Sequence, residues 1–221
     1  RGALTEPLAR RAGRVGAVEA DRGVASALAE RMRPWGNVTV VCEDVLRFSW
    51  AGVPGATVVG AIPYLLTSPI LAALAESRRT LRTIVLVVQE EVAQRLAAAP
   101  GTKAYGRLTL LAQHGWDVAL LFAVPRRAFF PQPAVDSRCV QLAPKTLQAV
   151  RVADERLFFE VVKQAFAHRR KTLVNCLSGP GAMRRAEAET LVAALGLPAA
   201  VRGEALSREQ FAALANLIGS R

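Results

Sequence analysis

The 221-residue sequence has few cysteines and histidines and no long apolar run. Its three cysteines, Cys42, Cys139 and Cys176, lie far apart and match neither a zinc-ligand spacing nor a disulfide framework. The two histidines, His114 and His168, have no cysteine or carboxylate at ligand spacing. No apolar stretch approaches the ~20 residues that span a bilayer. The sequence therefore predicts no metal site and no membrane span, and the odd number of cysteines favours a reducing compartment, the cytoplasm.

Positive charge and apolar residues are what the sequence has in excess. Lys and Arg number 29 against 18 Asp and Glu, for a formal net charge of +11, and apolar residues make up 52%. That apolar content supports a sizeable core. The basic clusters at 10–14, 78–82 and 169–171 are spread along the chain, which favours a folded basic surface over a disordered arm. Such a surface suits a polyanion, and simple solubility is the alternative.

Strand-like and helical patterns alternate over the first two thirds of the chain. Val- and Ile-rich runs predict strands at 14–19, 37–42, 56–62 and 83–89. Helical patterns predict helices at 4–11, 23–31, 69–77, 90–98 and 107–114. Each strand run is apolar over consecutive residues, which predicts burial on both faces. This order predicts an α/β fold with a parallel, doubly wound, Rossmann-like sheet.

Two further strand patterns, at 117–124 and 136–142, follow without a helix between them. Strands joined in this way pair antiparallel, so we expect the parallel sheet to end in a reversed hairpin. After residue 145 the pattern is helical, and Ser207 with Gln210 predicts a capping box before the last helix. We therefore expect residues 1–147 to form the α/β domain and residues 148–221 a small all-α domain.

Acidic residues follow two of the predicted strands. In a doubly wound sheet, ligands bind beyond the carboxyl ends of the strands. Glu19 ends one strand, and its carboxylate suits bidentate hydrogen bonding to a ribose diol. The neighbouring Asp21 has an alternative role, as a charge favoured by a helix dipole. Asp44 follows the next strand, where a carboxylate can accept a hydrogen bond from an adenine amino group while Val45 lies against the ring.

A Pro–Tyr pair, Pro63-Tyr64, follows the third predicted strand. Pro63 fixes a turn, and Tyr64 presents a ring at the strand end. The hairpin loop adds Phe129 and Phe130 between prolines, and aromatic side chains on a stiff loop can clamp a flipped base. The alternative is a hydrophobic turn packed on the core.

Taken together, these motifs resemble those of the bacterial small-subunit rRNA adenine N6,N6-dimethyltransferases, the kasugamycin-sensitivity family. The resemblance extends over the whole chain. The segments that carry it are GALTEPL, VGAVEADR, CEDVL, VVGAIPYLLTSPI, VQEEVAQRLAAAPGTKAYGRLTLLAQ, FFPQPAVDS, FAHRRKTLVNCL and ALSREQFAALANLI. The segments GTKAYGRL and HRRKTL favour the small-subunit group over relatives that methylate large-subunit rRNA.

The resemblance implies transfer of methyl groups from S-adenosylmethionine to N6 of rRNA adenines, without a metal. It implies cofactor contacts from Gly2, Glu19, Ala20, Asp44, Val45 and Ala61. It implies a catalytic loop of Ala61, Ile62, Pro63 and Tyr64, in which the Ile62 carbonyl accepts an N6 hydrogen bond and Tyr64 and Phe130 stack on the target adenine. For the RNA side it implies Lys103, Tyr105, Arg107, Arg169, Arg170 and Lys171. The expected partner is immature small-subunit rRNA, bound by a monomer.

Two departures from the family pattern lead to a second hypothesis. Ala61 stands where the family has an Asn that contacts both cofactor and substrate. The sequence also begins at Arg1, after most of the family's glycine loop and its first strand, so we expect a truncated chain that binds the cofactor poorly. The alternative function is therefore a catalytically impaired or inactive RNA-binding factor in ribosome assembly.

Overall fold

The computed structural model describes residues 2–145, 151–179 and 183–221, and at Tyr64 it describes the backbone only. The strands in these residues are β1 Val15–Glu19, β2 Val38–Cys42, β3 Thr57–Ala61, β4 Thr83–Gln89, β5 Trp116–Val124 and β6 Ser137–Pro144. The helices are α1 Thr5–Ala9, α2 Arg22–Met32, α3 Thr67–Glu76, α4 Glu90–Leu96, α5 Arg107–Gly115, α6 Glu155–Ala165, α7 Leu173–Leu177, α8 Arg185–Ala194 and α9 Arg208–Gly219. The predicted strand and helix order is confirmed.

The strands form two sheets within the described residues. β1 pairs with β2 in parallel, with Glu19 opposite Cys42. The other four strands lie in the order β3-β4-β6-β5, with β3 and β4 parallel and β6 antiparallel to both of its neighbours. The reversed terminal hairpin is therefore confirmed. β1 and β3 are not paired with each other, so the two parallel pairs remain separate.

The core of the α/β part lies on one face of the four-stranded sheet. Alternate residues of β4, Ile84, Leu86 and Val88, are buried against apolar side chains of α3, α4 and α5. The intervening β4 residues are only half-buried, and Val59 of β3 is 36% exposed. The prediction of burial on both faces was therefore wrong, because the helices that cover this sheet pack against a single face.

A second core lies among the helices of the C-terminal part. Phe158, Leu173 and Phe211 are fully buried there. The same cluster contains three buried residues from the α/β part, Ala98, Tyr105 and Leu110. The helical part therefore packs directly onto the end of the α/β part. The domain boundary predicted between residues 147 and 148 lies outside the described residues.

Short polar caps fix the beginnings of several helices. Asp21 accepts a hydrogen bond from the Val24 N–H at 2.8 Å, and Asp154 accepts one from the Leu157 N–H at 3.1 Å. Ser207 and Gln210 form the predicted capping box of α9. Such caps satisfy backbone N–H groups that have no partner inside the helix.

Over the described part of the chain, no helix combines the length and the apolar character that crossing a bilayer requires.

Candidate active site

The first half of the candidate site lies where β1 and β2 end. The Glu43 N–H donates to the Glu19 carbonyl at 3.0 Å, so the two strand ends are held side by side. The Glu19 carboxylate accepts a hydrogen bond from the Asp21 N–H at 3.0 Å and is half-buried. Its orientation is therefore fixed by the same turn that begins α2. Asp21 caps α2, which confirms the helix-terminal alternative for that residue.

Asp44 and Val45 follow β2 at the same edge. One Asp44 carboxylate oxygen accepts the Leu46 N–H at 2.9 Å, and the side chain is otherwise exposed. The turn continues through hydrogen bonds from Arg47 and Phe48 to the Asp44 carbonyl. Val45 packs against the core of the four-stranded sheet. Two carboxylates of fixed orientation, Glu19 and Asp44, thus lie at neighbouring strand ends.

The second half of the site begins where β3 ends, at Ala61. Ala61 is exposed and lies opposite Val87 of β4. Ile62 packs against the same core as Val45, and a side chain on Gly60 would come within 3.2 Å of Ile62 Cγ2. Pro63 is exposed, and its carbonyl accepts the Leu66 N–H at 2.9 Å, which turns the chain into α3. Tyr64 lies in this turn, and its side chain lies outside the described residues.

The hairpin loop between β5 and β6 lies at the same edge of the sheet. The loop ends at Ser137 of β6, which lies two strands away from β3 and pairs with both Gln89 of β4 and Val124 of β5. At about 4.8 Å between strands, the Ser137 end of the loop lies about 10 Å to the side of the β3 end, and the Val124 end lies about 14 Å to the side. Phe129 is half-buried, whereas Phe130 is 96% exposed. The loop therefore presents one anchored and one projecting aromatic ring.

Shared packing joins the two halves of the site. Val45 follows β2 and Ile62 follows β3, and both pack against the core that underlies the four-stranded sheet. Glu19 and Asp44 thus lie at the ends of the paired strands β1 and β2, and Ala61 lies at the same edge of the four-stranded sheet as the aromatic loop. The predicted cofactor residue Gly2 is buried against Leu28 and Met32 of α2 and adopts a φ of 82°.

Most of the predicted RNA-binding residues lie elsewhere, where the two parts of the chain meet. Arg169 donates to the Lys103 carbonyl at 2.8 Å and lies 3.5 Å from the Glu204 carboxylate. Gly101 N–H also donates to the Glu204 carbonyl, at 2.7 Å. Three turns therefore converge here. Lys103, Arg170 and Lys171 are exposed and form no ion pair within the described residues, and the same holds for Arg107 at the beginning of α5.

The position of Tyr105 contradicts its predicted role in RNA binding. Its ring is 3% exposed, and its hydroxyl donates to the Leu206 carbonyl at 2.8 Å. Burial raises the pKa of the phenol well above its ordinary value. The assignment of Tyr105 to RNA contact was therefore wrong, because the ring fills the core of the helical part.

Comparison with known proteins agrees with this geometry. A family described as "Ribosomal RNA adenine dimethylase" matches residues 1–219. The chain is 43% identical over 228 aligned positions to a "Ribosomal RNA small subunit methyltransferase A" of Bacillus cereus (strain AH187), covering 98% of this chain and 78% of that protein. The protein of that name from Bacillus anthracis (strain CDC 684 / NRRL 3495) matches equally well. The chain belongs to the ribosomal RNA adenine dimethylase family.

Solved structures show the same fold. A dimethyladenosine transferase from Plasmodium falciparum superimposes with a TM-score of 0.81 at 23% identity, covering 99% of this chain and 86% of that one. The 23S rRNA methyltransferase ErmE superimposes with a TM-score of 0.70 at 26% identity, covering 97% and 86%. The predicted fold class, an α/β methyltransferase fold followed by helices, is therefore confirmed.

Sequence reasoning missed several residues that shape this family site. Asp136 accepts a hydrogen bond from the Arg126 N–H at 2.8 Å and closes the aromatic loop. Arg138 donates to both carboxylate oxygens of Glu90, at 3.0 and 2.9 Å. These partners are up to 48 positions apart, and no local pattern marks them. Only the strand register brings them together.

Proposed function

We propose that this chain transfers methyl groups from S-adenosylmethionine to N6 of adenines in small-subunit rRNA, two per base. The observation that carries the proposal is the arrangement of the strand ends: the oriented carboxylates of Glu19 and Asp44 follow β1 and β2, and Val45 and Ile62 pack against one core. The aromatic loop lies at the same edge of the four-stranded sheet as the Ala61–Tyr64 turn. Membership of the family supports the reaction class. The closeness to proteins named small-subunit methyltransferases supports the rRNA of that subunit as the substrate.

The residues after β1 and β2 fit a nucleoside cofactor. Glu19 is half-buried and oriented by the Asp21 N–H, so its carboxylate can accept both hydroxyls of a ribose. Asp44 is exposed two residues after the end of the neighbouring strand, so it would be available to an adenine amino group, with Val45 against the ring. Ala20 and Ala61 are also exposed at strand ends and would complete the cofactor contacts. When bound, S-adenosylmethionine supplies an electrophilic methyl group on sulfur. Gly2 has no side chain, so it would contact the cofactor through main-chain atoms only.

The turn after β3 would present the target adenine to the methyl group. The N6 lone pair of adenine is conjugated with the ring, so it is a poor nucleophile when planar. The Ile62 carbonyl would accept one N6 hydrogen and favour a pyramidal nitrogen. Tyr64 and Phe130 would stack on the two faces of the extruded base, with Pro63 holding the turn rigid. Positioning and polar stabilisation then carry the step.

The junction of the two parts would hold the rRNA backbone. Lys103, Arg107, Arg170 and Lys171 are exposed cations free to contact phosphates, whereas Arg169 also fastens the junction. We propose that residues 148–221 form an RNA-binding domain that delivers immature small subunits to the α/β domain, residues 1–147. We further propose a monomer working in the cytoplasm.

A second candidate function rests on Ala61. The methyl side chain of Ala61 offers no hydrogen bond to the adenine amino group, and the loss of one preorganised polar group costs on the order of 10²–10³ in rate. A chain that keeps the basic surface and lacks this group would act as an RNA-binding assembly factor.

Comparison of the chain with Ala61→Asn decides between the two functions. Position 61 is exposed at a strand end, so the larger side chain fits without repacking the core. We expect transfer of tritiated methyl groups to immature small subunits to rise about 10²- to 10³-fold in the Asn variant. Glu19→Ala in the Asn variant is the control and should abolish the gain. Measurable transfer from the unaltered chain would support the methyltransferase, whereas RNA binding by both proteins with transfer from the Asn variant alone, or from neither, would favour the assembly factor. Absence of RNA binding would contradict both functions.

A further inference from the structure

The position of the Phe130 ring depends on its loop backbone. Phe130 is 96% exposed, so no neighbouring side chain packs around the ring to hold it. A ring that stacks on a base gains affinity only if the loop is already ordered, because ordering it on binding costs conformational entropy. The contacts that order the loop therefore matter for base recognition.

Asp136 makes the contact that closes the loop across its two ends. Its carboxylate accepts the Arg126 N–H at 2.8 Å, and its main-chain carbonyl accepts the Glu90 N–H at 3.1 Å. One residue thus ties the beginning of the loop to its end and ties that end to the first residue of α4. Arg126 adds a weaker contact of 3.3 Å from its guanidinium to the Ala134 carbonyl.

Arg138 makes it possible for two carboxylates to lie close together at this point. Asp136 and Glu90 repel each other, and the repulsion by itself would raise the pKa of Glu90. The two hydrogen bonds from Arg138, with a third from Gln94 at 2.8 Å, hold the pKa of Glu90 below its ordinary value. Arg138 therefore offsets the repulsion between the two acidic side chains, and the Asp136 carboxylate oxygen accepts the Arg126 N–H.

We propose that Asp136 is a positioning residue for the target base: it holds the loop closed and so presents Phe130 to the RNA. The inference rests on the proposed function and adds to it a residue outside the substrate and cofactor contacts. It requires that Asp136 contribute to RNA affinity through Phe130 and not through overall stability.

A double-mutant cycle tests this coupling. The variants are Asp136→Ala, Phe130→Ala and the double mutant, with Asp136→Asn as the conservative variant that keeps the acceptor oxygen. The matched control is Asp154→Ala, because Asp154 also accepts one backbone N–H at the beginning of a structured segment, far from the loop. The measurement is affinity for a small-subunit rRNA fragment that carries 2-aminopurine at an adenine position, with hydrogen exchange of residues 126–135 measured in parallel.

We expect Asp136→Ala to weaken RNA binding roughly 2- to 30-fold, the range of a lost capping hydrogen bond, and to speed hydrogen exchange in the loop. Asp136→Asn should restore both, and Asp154→Ala should change neither. In the Phe130→Ala background, Asp136→Ala should cost almost nothing. Additive losses would overturn the role of Asp136 and leave the proposed function standing. Wild-type affinity in Phe130→Ala would overturn the proposed base contact and this inference with it.

Discussion

Replacing His114 by phenylalanine tests how the two parts of the chain are joined. His114 belongs to α5 and is 2% exposed. Its ring stacks on Phe158 of α6 at 4.7 Å and meets Phe159 edge-on at 5.3 Å. Within the described part of the chain neither ring nitrogen has a hydrogen-bond partner, and Nε2 lies 3.7 Å from the Glu155 carboxylate. That carboxylate is already paired with Arg78, so His114 is held as a neutral aromatic ring.

Burial lowers the pKa of His114 in the folded protein, against the opposing pull of Glu155. The unfolded chain therefore binds a proton more readily than the folded chain below the ordinary histidine pKa of about 6.5. The contribution to the free energy of unfolding is fully present above that pH and is lost as the pH falls below it. Between pH 7.5 and 5.5 the loss is at most about 1.4 kcal/mol, because one proton is involved.

Phenylalanine at position 114 removes this proton and keeps the aromatic contacts with α6. Urea denaturation of both proteins at pH 7.5, 6.5 and 5.5 measures the effect, and the titration of all other groups cancels in the difference. We expect the wild type to lose up to about 1.4 kcal/mol more than His114→Phe over this range, or roughly 3 to 6 °C in Tm. Equal pH dependence in the two proteins would refute a buried, neutral His114.

Two further substitutions separate RNA contact from stability. Phe130→Ala should weaken RNA binding by about 1–3 kcal/mol, the cost of one lost base stack, and should leave the Tm unchanged because the ring is exposed. Phe129→Ala should lower the Tm because that ring is half-buried. Thermal melts and RNA titrations of both variants measure these effects. Tyr105→Phe should cost roughly 1–3 kcal/mol of folding stability, because the buried Leu206 carbonyl loses its partner, and should leave RNA affinity unchanged. A Tyr105→Phe protein of normal stability and reduced RNA affinity would restore the original assignment of Tyr105.

The strand order could be predicted from the sequence because Val and Ile runs mark strands locally. β4 was predicted at its observed bounds, Thr83–Gln89. The burial of its two faces could not be predicted, because it depends on where α3, α4 and α5 pack after the chain has folded. The helix cap at Ser207 was predicted because both partners lie within four residues. Strand bounds and helix caps, which depend on neighbouring residues, could thus be predicted from the sequence, whereas long-range packing could not.

The candidate site shows the same division. Glu19 and Asp44 could be chosen because ligands bind at strand ends: Glu19 ends β1, and Asp44 lies two residues after the end of β2. Tyr105 was misassigned because a tyrosine among Lys, Gly and Arg gives no periodic signal of burial. Asp136 was missed because its partners, Arg126 and Glu90, are set by the hairpin and the strand register.

The shared core at the junction has a consequence for RNA recognition. Tyr105 and Leu110 of the α/β part are buried among the helices of the C-terminal part, and the Arg78–Glu155 pair crosses the same junction. In the proposed function, packing at the junction would therefore hold its exposed cations at a fixed spacing from the aromatic loop. A folded RNA is recognised mainly through its shape and its phosphates, so in the proposed function a fixed spacing would help to select one adenine among many. Loosening the junction should then impair the choice of the adenine before it impairs RNA binding itself.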